Sequence, residues 1–289
     1  MTFDNYIFDL YGTLIDIHTD ESIPGLWQDM AAYLEYHFGA GYAAKELRKR
    51  YLEVCKEEEK ALRNWLAKTR KMPTDHPEIR ISWVWSRLIG EKLRMPQGPT
   101  VTDPSVDTEK ILETMDSYKH RKYDEEEYIT PEIQAVCNYF RETSRDKLIR
   151  YDGVDTVFRK LKDQGKKIFL LSNAQRAFTA KELMECGLDS CFDGIFISSD
   201  LLMKKPEPKF MDLLVDKYEL DKSKCVMIGN EISCDVGVAA GSGIRSIFLN
   251  TYDVSDSRIK QDINRLDIRD EELFPIVIRD GKIEKILSL

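Results

Sequence analysis

From Tyr151 to Asn250 the chain switches repeatedly between two periodicities, and that alternation restricts its fold more than any other feature. Val154 to Gln164 carries apolar residues at helical spacing and stops at Gly165; K-I-F-L-L, Lys167 to Leu171, then reads as a buried strand. Phe178 to Cys186 is a helix closed by Gly187, and Gly194 to Ile197 is the next strand. Lys209 to Tyr218, Cys225 to Ile228, Cys234 to Ala240 and Ser246 to Leu249 continue as helix, strand, helix and strand. Strands separated by helices pair in parallel, so the sequence predicts an α/β protein with a doubly wound parallel sheet. The tail P-I-V-I-R-D-G-K-I-E-K-I-L holds Asp280-Gly281 between two apolar alternations, the pattern of a terminal hairpin.

A further strand opens the chain. Tyr6, Ile7 and Phe8 are apolar and β-prone, and Asp9 to Thr13 follow at once as acid, turn and hydroxyl residues. A carboxylate at the carboxyl end of a parallel strand lies where helix N-termini and loop amides converge on ligands, which makes Asp9 a candidate nucleophile. The same Asp also suits a turn before Gly12. From Ile17 to about Arg145 the pattern is helical, with Leu26 to Phe38, Ala44 to Ala67, Ile81 to Leu93 and Asp107 to Tyr118 as helices and no alternating strand pattern among them. K-M-P-T-D-H-P-E and M-P-Q-G-P-T-V-T-D-P stop these helices, and Thr130 to Phe140 adds another with Pro131 in its first turn. A bundle inserted after the first strand would hang over the sheet's carboxyl edge as a lid on Asp9.

With 289 residues, 42% apolar and 33% charged, the chain can fill one large core and a second compartment. The net charge of -8, with no long Lys/Arg block, argues against nucleic-acid or membrane-surface partners and requires local cations for any anionic substrate. Six cysteines without CxxC spacing, and an N-terminus without a basic segment and apolar signal core, predict reduced thiols and a cytoplasmic location. No apolar run approaches the length of a transmembrane helix. His18, His37, His76 and His120 lack zinc-ligand spacing and read as surface or capping residues.

The strand ends in order present Asp9, Tyr11 and Thr13; Ser172 and Asn173; Lys205 before Pro206; then Gly229, Asn230 and Asp235. A carboxylate, hydroxyl and amide donors, a cation and a second acid are what transfer of an anionic group requires. The series resembles the haloacid dehalogenase superfamily over Tyr6 to Asp16 and about Tyr151 to Asn250, with the helical insertion where that family carries its cap. The resemblance implies a Rossmann-like core of residues 1-16 and 148-289 and an inserted all-helical cap domain of residues 17-147.

It also implies roles. Asp9 would attack phosphorus or carbon to give an aspartyl ester, with Thr13 steadying its loop. Ser172 and Asn173 would bind oxygens of the transferred group, and Lys205 would neutralise charge between nucleophile and substrate. Taken alone, Ser-Asn after a strand is an ordinary helix cap and Lys204-Lys205 a solvated pair. Mg2+ would be held by Asp9, the backbone carbonyl of Tyr11, Asn230 and Asp235, with waters completing the shell. Asp235 equally suits a helix N-terminus, where the dipole favours an acid.

Two positions depart from the family's phosphatases. Their second Asp, which protonates the leaving oxygen, is Tyr11 here, and a phenol with a pKa near 10 is a poor substitute. Their first fourth-motif Asp is Asn230, beside Glu231, so any Mg2+ meets less ligand charge. Asp-x-Tyr-Gly-Thr resembles the 2-haloacid dehalogenase branch, which needs no metal. That branch's Tyr and Asn fall on Met211 and Ile232, and its cap arginine matches Arg48, which also fits a solvated helix face. Three functions follow: a hydrolase of a small anionic substrate, a phosphate ester or anhydride with a good leaving group; a 2-haloacid dehalogenase; and a degenerate relative that only binds. Trp27, Arg48, Tyr51, Trp83, Trp85, Tyr118 and Arg121 are the cap's candidate specificity residues.

Overall fold

The computed structural model describes residues 3–93, 123, 126–127 and 129–289, and among these Asn5–Phe8 forms β1 inside a six-stranded parallel sheet. The predicted helix from Asp107 to Tyr118, with His120 and Arg121, lies outside the described residues. All four residues of β1 are buried, as a strand covered on both faces must be. Lys167–Ser172 (β4) and Cys225–Gly229 (β6) flank it, with Phe8 opposite Leu170 on one side and Ile228 on the other. Gly194–Ile197 (β5) extends the sheet beyond β4, and Arg245–Leu249 (β7) extends it beyond β6.

The chain thus runs outward from β1 to β5 and returns across β1 to build the other half. Loops leave in opposite directions at such a reversal, which opens a crevice at the carboxyl edge. Phe8, Leu10, Leu14, Phe158, Leu170 and Ile228 form the packed core beneath that edge. Asp9 follows β1 directly, and its N–H donates to the Ile228 carbonyl at 2.9 Å, so the carboxylate starts from a fixed backbone point.

Two expectations are corrected. Ile276–Ile278 (β8) does not fold back as a hairpin but pairs in parallel with β7. The following Ile283 and Ile286, buried in the same core, stand three residues apart in a 3-10 turn, Ile283–Ser288; a period of three seats both on one side, which alternation along a strand cannot do. The supposedly all-helical stretch is also entered and left by strands, Ile15–Thr19 (β2) and Arg145–Arg150 (β3), which pair with each other. β3, R-D-K-L-I-R, carries four charges in six residues and shows no apolar alternation; β2, I-D-I-H-T, does alternate, with Ile15 buried, but is too short to stand out from the helical pattern that follows.

The chain divides into two units. The α/β unit comprises residues up to Ile17, Lys147–Ala174 and Thr179–Leu289; its helices include Val154–Asp163 (α5), Arg176–Glu185 (α6, from Thr179 onward), Pro208–Lys217 (α8) and Asp256–Arg265 (α10), with short helices Ser198–Leu201 (α7) and Gly237–Gly241 (α9). The fourth-motif loop enters α9 through a π turn, Ile232–Val236, where a plain α-helix was expected.

The second unit, His18–Asp146 with Gln175–Phe178, contains Pro24–Phe38 (α1), Ala44–Trp65 (α2), Ile81–Leu93 (α3) and Pro131–Ser144 (α4) among its described residues. Trp27, Tyr51, Trp85 and Phe140 pack ring against ring at its centre, with centroids 5.1 to 6.0 Å apart. The candidates Trp27, Tyr51 and Trp85 are therefore core. Gln175 belongs to this unit because its side chain accepts from the Ile81 N–H and donates to the Ile79 carbonyl, each at 2.9 Å. His18 pairs with Asp146, His37 packs at a tilt against Tyr33, and all six cysteines are free thiols. Among the described residues no helix is long and apolar enough to cross a membrane.

Candidate active site

The carboxyl ends of β1, β4 and β6 lie side by side, so the residues that follow them meet. Lys205 Nζ donates to Asp9 Oδ1 and to Asp235 Oδ1, each at 2.6 Å. The lysine is 2% exposed, and both carboxylates are buried. Ser172 Oγ, at the end of β4, donates to the same Asp9 oxygen at 3.2 Å. Thr13 Oγ1 lies 3.3 Å from Asp9 Oδ2 and 3.2 Å from Asn230 Oδ1. Asp235 Oδ2 accepts the Glu231 N–H at 2.8 Å, which closes the fourth-motif loop on itself.

These groups and their neighbours line a cavity of about 420 Å³ bounded by Asp9, Tyr11, Asn173, Lys205, Asn230, Glu231, Cys234, Asp235 and Tyr252. The Asn173 amide does not point its hydrogens at this space alone. It donates to the Lys205 carbonyl at 3.1 Å and accepts the Lys205 N–H at 2.8 Å, so it clamps the backbone of the lysine. Arg48 is an exposed residue of α2 in the helical unit. Met211 and Ile232, the positions of the dehalogenase branch's Tyr and Asn, are buried apolar residues that do not line it either.

Two carboxylates sharing one ammonium in a dry site set the protonation of the group. Burial penalises charge on Lys205 and Asp235. Lys205 gains from both acids, and its pKa rises despite burial. Asp235 gains from one cation and is repelled by Asp9, so burial prevails and its carboxyl is pushed up to about 7. Burial likewise pushes the Cys234 thiol up to about 12, which keeps it protonated at neutral pH.

A raised folded-state carboxyl stabilises the fold while protonated. That contribution is complete below the ordinary carboxylate range, near 4, and is lost as pH climbs through about 7. In protein stripped of divalent cations, urea midpoints are therefore expected to fall between mildly acidic and mildly alkaline pH, and Asp235→Asn to flatten that slope. An unchanged slope in the variant would remove Asp235 as its source.

Gly229 ends β6 against this carboxylate. A Cβ there would stand 2.1 Å from Asp235 Oδ2, so Gly229→Ala is expected to displace the acid, cost about 1–3 kcal/mol in urea unfolding and depress turnover. Gly12 is constrained twice, by φ of +79° and by Asn230 Nδ2 lying 2.2 Å from where its Cβ would be.

For a hard divalent cation the donor set fits. Thr13 has one hydroxyl hydrogen and two acceptors in reach, so either Asp9 Oδ2 or Asn230 Oδ1 goes without it at any moment. Among the described residues no three His, Cys, Asp or Glu side chains converge as a metal cluster. Mg2+ does not demand one, because it keeps several waters and takes one or two carboxylates plus substrate oxygens.

Sequence reasoning did not single out Thr179 and Glu182. They stand three residues apart on α6, both buried, and Glu182 Oε2 accepts the Tyr11 hydroxyl. The signal was available: a hydroxyl and an acid at helical spacing beside Phe178 and Leu183, where an apolar stripe was expected. Tyr252, following β7, gave no such cue.

The family model described as haloacid dehalogenase-like hydrolase matches residues 3–243, and the chain belongs to that family. It is 27% identical over 116 residues to the pyrophosphatase PpaX of Halalkalibacterium halodurans, covering 40% of this chain and 54% of that protein. To the phosphoglycolate phosphatase of Psychrobacter arcticus it is 27% identical over 100 residues, covering 35% and 44%. The chain thus spans about half the length of these curated relatives. The crystal structure of the 2-haloacid dehalogenase from Pseudomonas syringae pv. Tomato DC3000 superposes with a TM-score of 0.53 at 16% identity, covering 92% of this chain and 99% of that one, a likeness of fold.

Proposed function

We propose that the protein hydrolyses a small phosphate ester or anhydride through an aspartyl ester on Asp9. The observation that carries this is Lys205, buried and bonded at 2.6 Å to both Asp9 and Asp235. Asp9 Oδ1 takes bonds from Lys205 and Ser172, so Oδ2, with only the longer Thr13 contact, is the oxygen left to attack phosphorus. Lys205 offsets charge as the phosphoryl group arrives, and Asp235 holds the lysine in place from behind. When bound, Mg2+ would supply further positive charge to the phosphoryl oxygens, held by Asp9, Asn230, Asp235 and the Tyr11 carbonyl. The phosphatase names of the relatives at 27% identity support this choice of substrate. In the same proposal the helical unit is the family's cap, and the free thiols suit the cytoplasm.

A phosphatase screen with and without Mg2+, followed by peptide mass measurement of rapidly quenched enzyme, tests it. One added phosphoryl group on the Asp9 peptide is expected. Turnover without that adduct, and undiminished in Asp9→Asn, would reject it. Tyr11 favours a second function, 2-haloacid dehalogenase, although Met211 and Ile232 stand where that branch has polar residues. Chloride release from 2-chloropropionate in the absence of phosphatase activity would select it.

A further inference from the structure

Tyr11 occupies the position of the family's general acid, and the fate of its hydroxyl bears on what can be hydrolysed. Its single proton is donated to Glu182 Oε2, and Thr179 Oγ1 lies 3.3 Å from the same phenol oxygen. Glu182 and Thr179 are 1% and 0% exposed, so the arrangement is built into the core side of α6 and is not a surface accident. A hydrogen bond to a carboxylate is among the stronger kinds, and a phenol whose only hydrogen is so committed has none to give a leaving group. Tyr11 therefore lines the cavity without acting as an acid.

Lys205, Asp235 and Glu231 do not fill the gap. The Lys205 ammonium is held by Asp9 and Asp235, and both Asp235 oxygens accept bonds, Oδ1 from that lysine and Oδ2 from the Glu231 N–H, which leaves neither turned to a leaving group. Glu231 is exposed and accepts from the Ser233 hydroxyl at 2.9 Å.

Resting on the phosphoryl-transfer function above, we propose that the substrate is a phosphoric anhydride, an acyl phosphate or a pyrophosphate, and not an alkyl phosphate. Asp9 Oδ2 bonds to phosphorus as the bond from phosphorus to the bridging oxygen breaks. Its electron pair leaves on a carboxylate or phosphate that needs no proton. Water then attacks the phosphorus of the aspartyl phosphate, the pair returns to Asp9, and both hydrogens of the water depart on dihydrogen phosphate. Thr179 and Glu182 are positioning residues that keep the Tyr11 proton out of the first step.

The test compares kcat/KM for acetyl phosphate, pyrophosphate and glycerol 3-phosphate in the presence of Mg2+. One or both anhydrides are expected to exceed the alkyl ester by about 10²–10⁴-fold, the contribution of a positioned general acid that the ester lacks here. Whichever anhydride is preferred separates the two classes. Tyr11→Asp, which restores a carboxyl group, is expected to raise alkyl-ester kcat at least about tenfold and so narrow the gap. Glu182→Gln, which weakens the hold on the hydroxyl, is expected to narrow it less and through kcat rather than KM. Should Tyr11→Asp not fold, Tyr11→Phe serves: the anhydride-to-ester ratio stays as in the parent, whereas selective loss of ester turnover overturns the proposal. It is equally overturned if the parent hydrolyses glycerol 3-phosphate as fast as the anhydrides, or if Glu231→Gln selectively removes ester turnover, while phosphoryl transfer stands. If folded protein hydrolyses none of the three and forms no adduct, phosphoryl transfer itself falls.

Discussion

Lys205→Ala is expected to lower turnover by at least about 10³-fold and to destabilise the fold by about 3–5 kcal/mol, because it leaves Asp9 and Asp235 buried without their shared counter-ion. Removing one partner of a buried ion pair costs far more than the pair contributes, since the remaining charge keeps its desolvation penalty. Asp235, already pushed up to about 7, also loses the cation that opposes its burial. Urea unfolding of parent and variant at neutral pH measures the stability loss, and the steady-state rate measures the other. A variant as stable as the parent would mean that the lysine does not compensate the acids. Lys205→Met, which keeps the length of the stem, is expected to recover packing and leave turnover lost.

Asp9→Asn is expected to have opposite signs on the two measurements. Turnover should fall by about 10⁴-fold or more, as loss of a nucleophile does elsewhere, and the phosphoryl adduct should disappear. Stability should rise, because one buried carboxylate then faces one buried ammonium and the repulsion that helps raise Asp235 is gone. Its pH slope should shrink accordingly. Thermal unfolding beside an activity assay decides this, and an Asp9→Asn protein that is less stable than its parent would contradict the charge balance described here. A destabilised parent site relieved by an inactivating change is the trade-off expected where function holds like charges together.

The sheet was legible because strands buried on both faces are written as unbroken apolar runs; Gly194–Ile197 and Ile81–Leu93 fall on their expected bounds. β3 was not legible, since R-D-K-L-I-R is mostly charged, and the I-D-I-H-T alternation of β2 was too short to stand out from the helical pattern that follows. The final segment misled through composition: I-V-I and I-E-K-I-L both look strand-like locally, and only the buried face they find separates an extra parallel strand from a turn of period three. At the site, the order of Asp9, Ser172, Lys205 and Asp235 along the chain pointed to residues the fold brings together. Which atom binds which did not follow from it. Asn173 spends its amide on the backbone of Lys205, and the Tyr11 hydroxyl turns to Glu182, a residue that no linear motif connects with position 11.

The cavity wall bears the carboxyls of Asp9, Glu231 and Asp235 against the single ammonium of Lys205 among its described residues. A doubly negative guest approaching such a mouth without a bound divalent cation travels uphill electrostatically, the reverse of the steering that speeds most encounters between charged ligands and enzymes. Moderate ionic strength, by shortening the range of that repulsion, then hastens capture where it would ordinarily slow it.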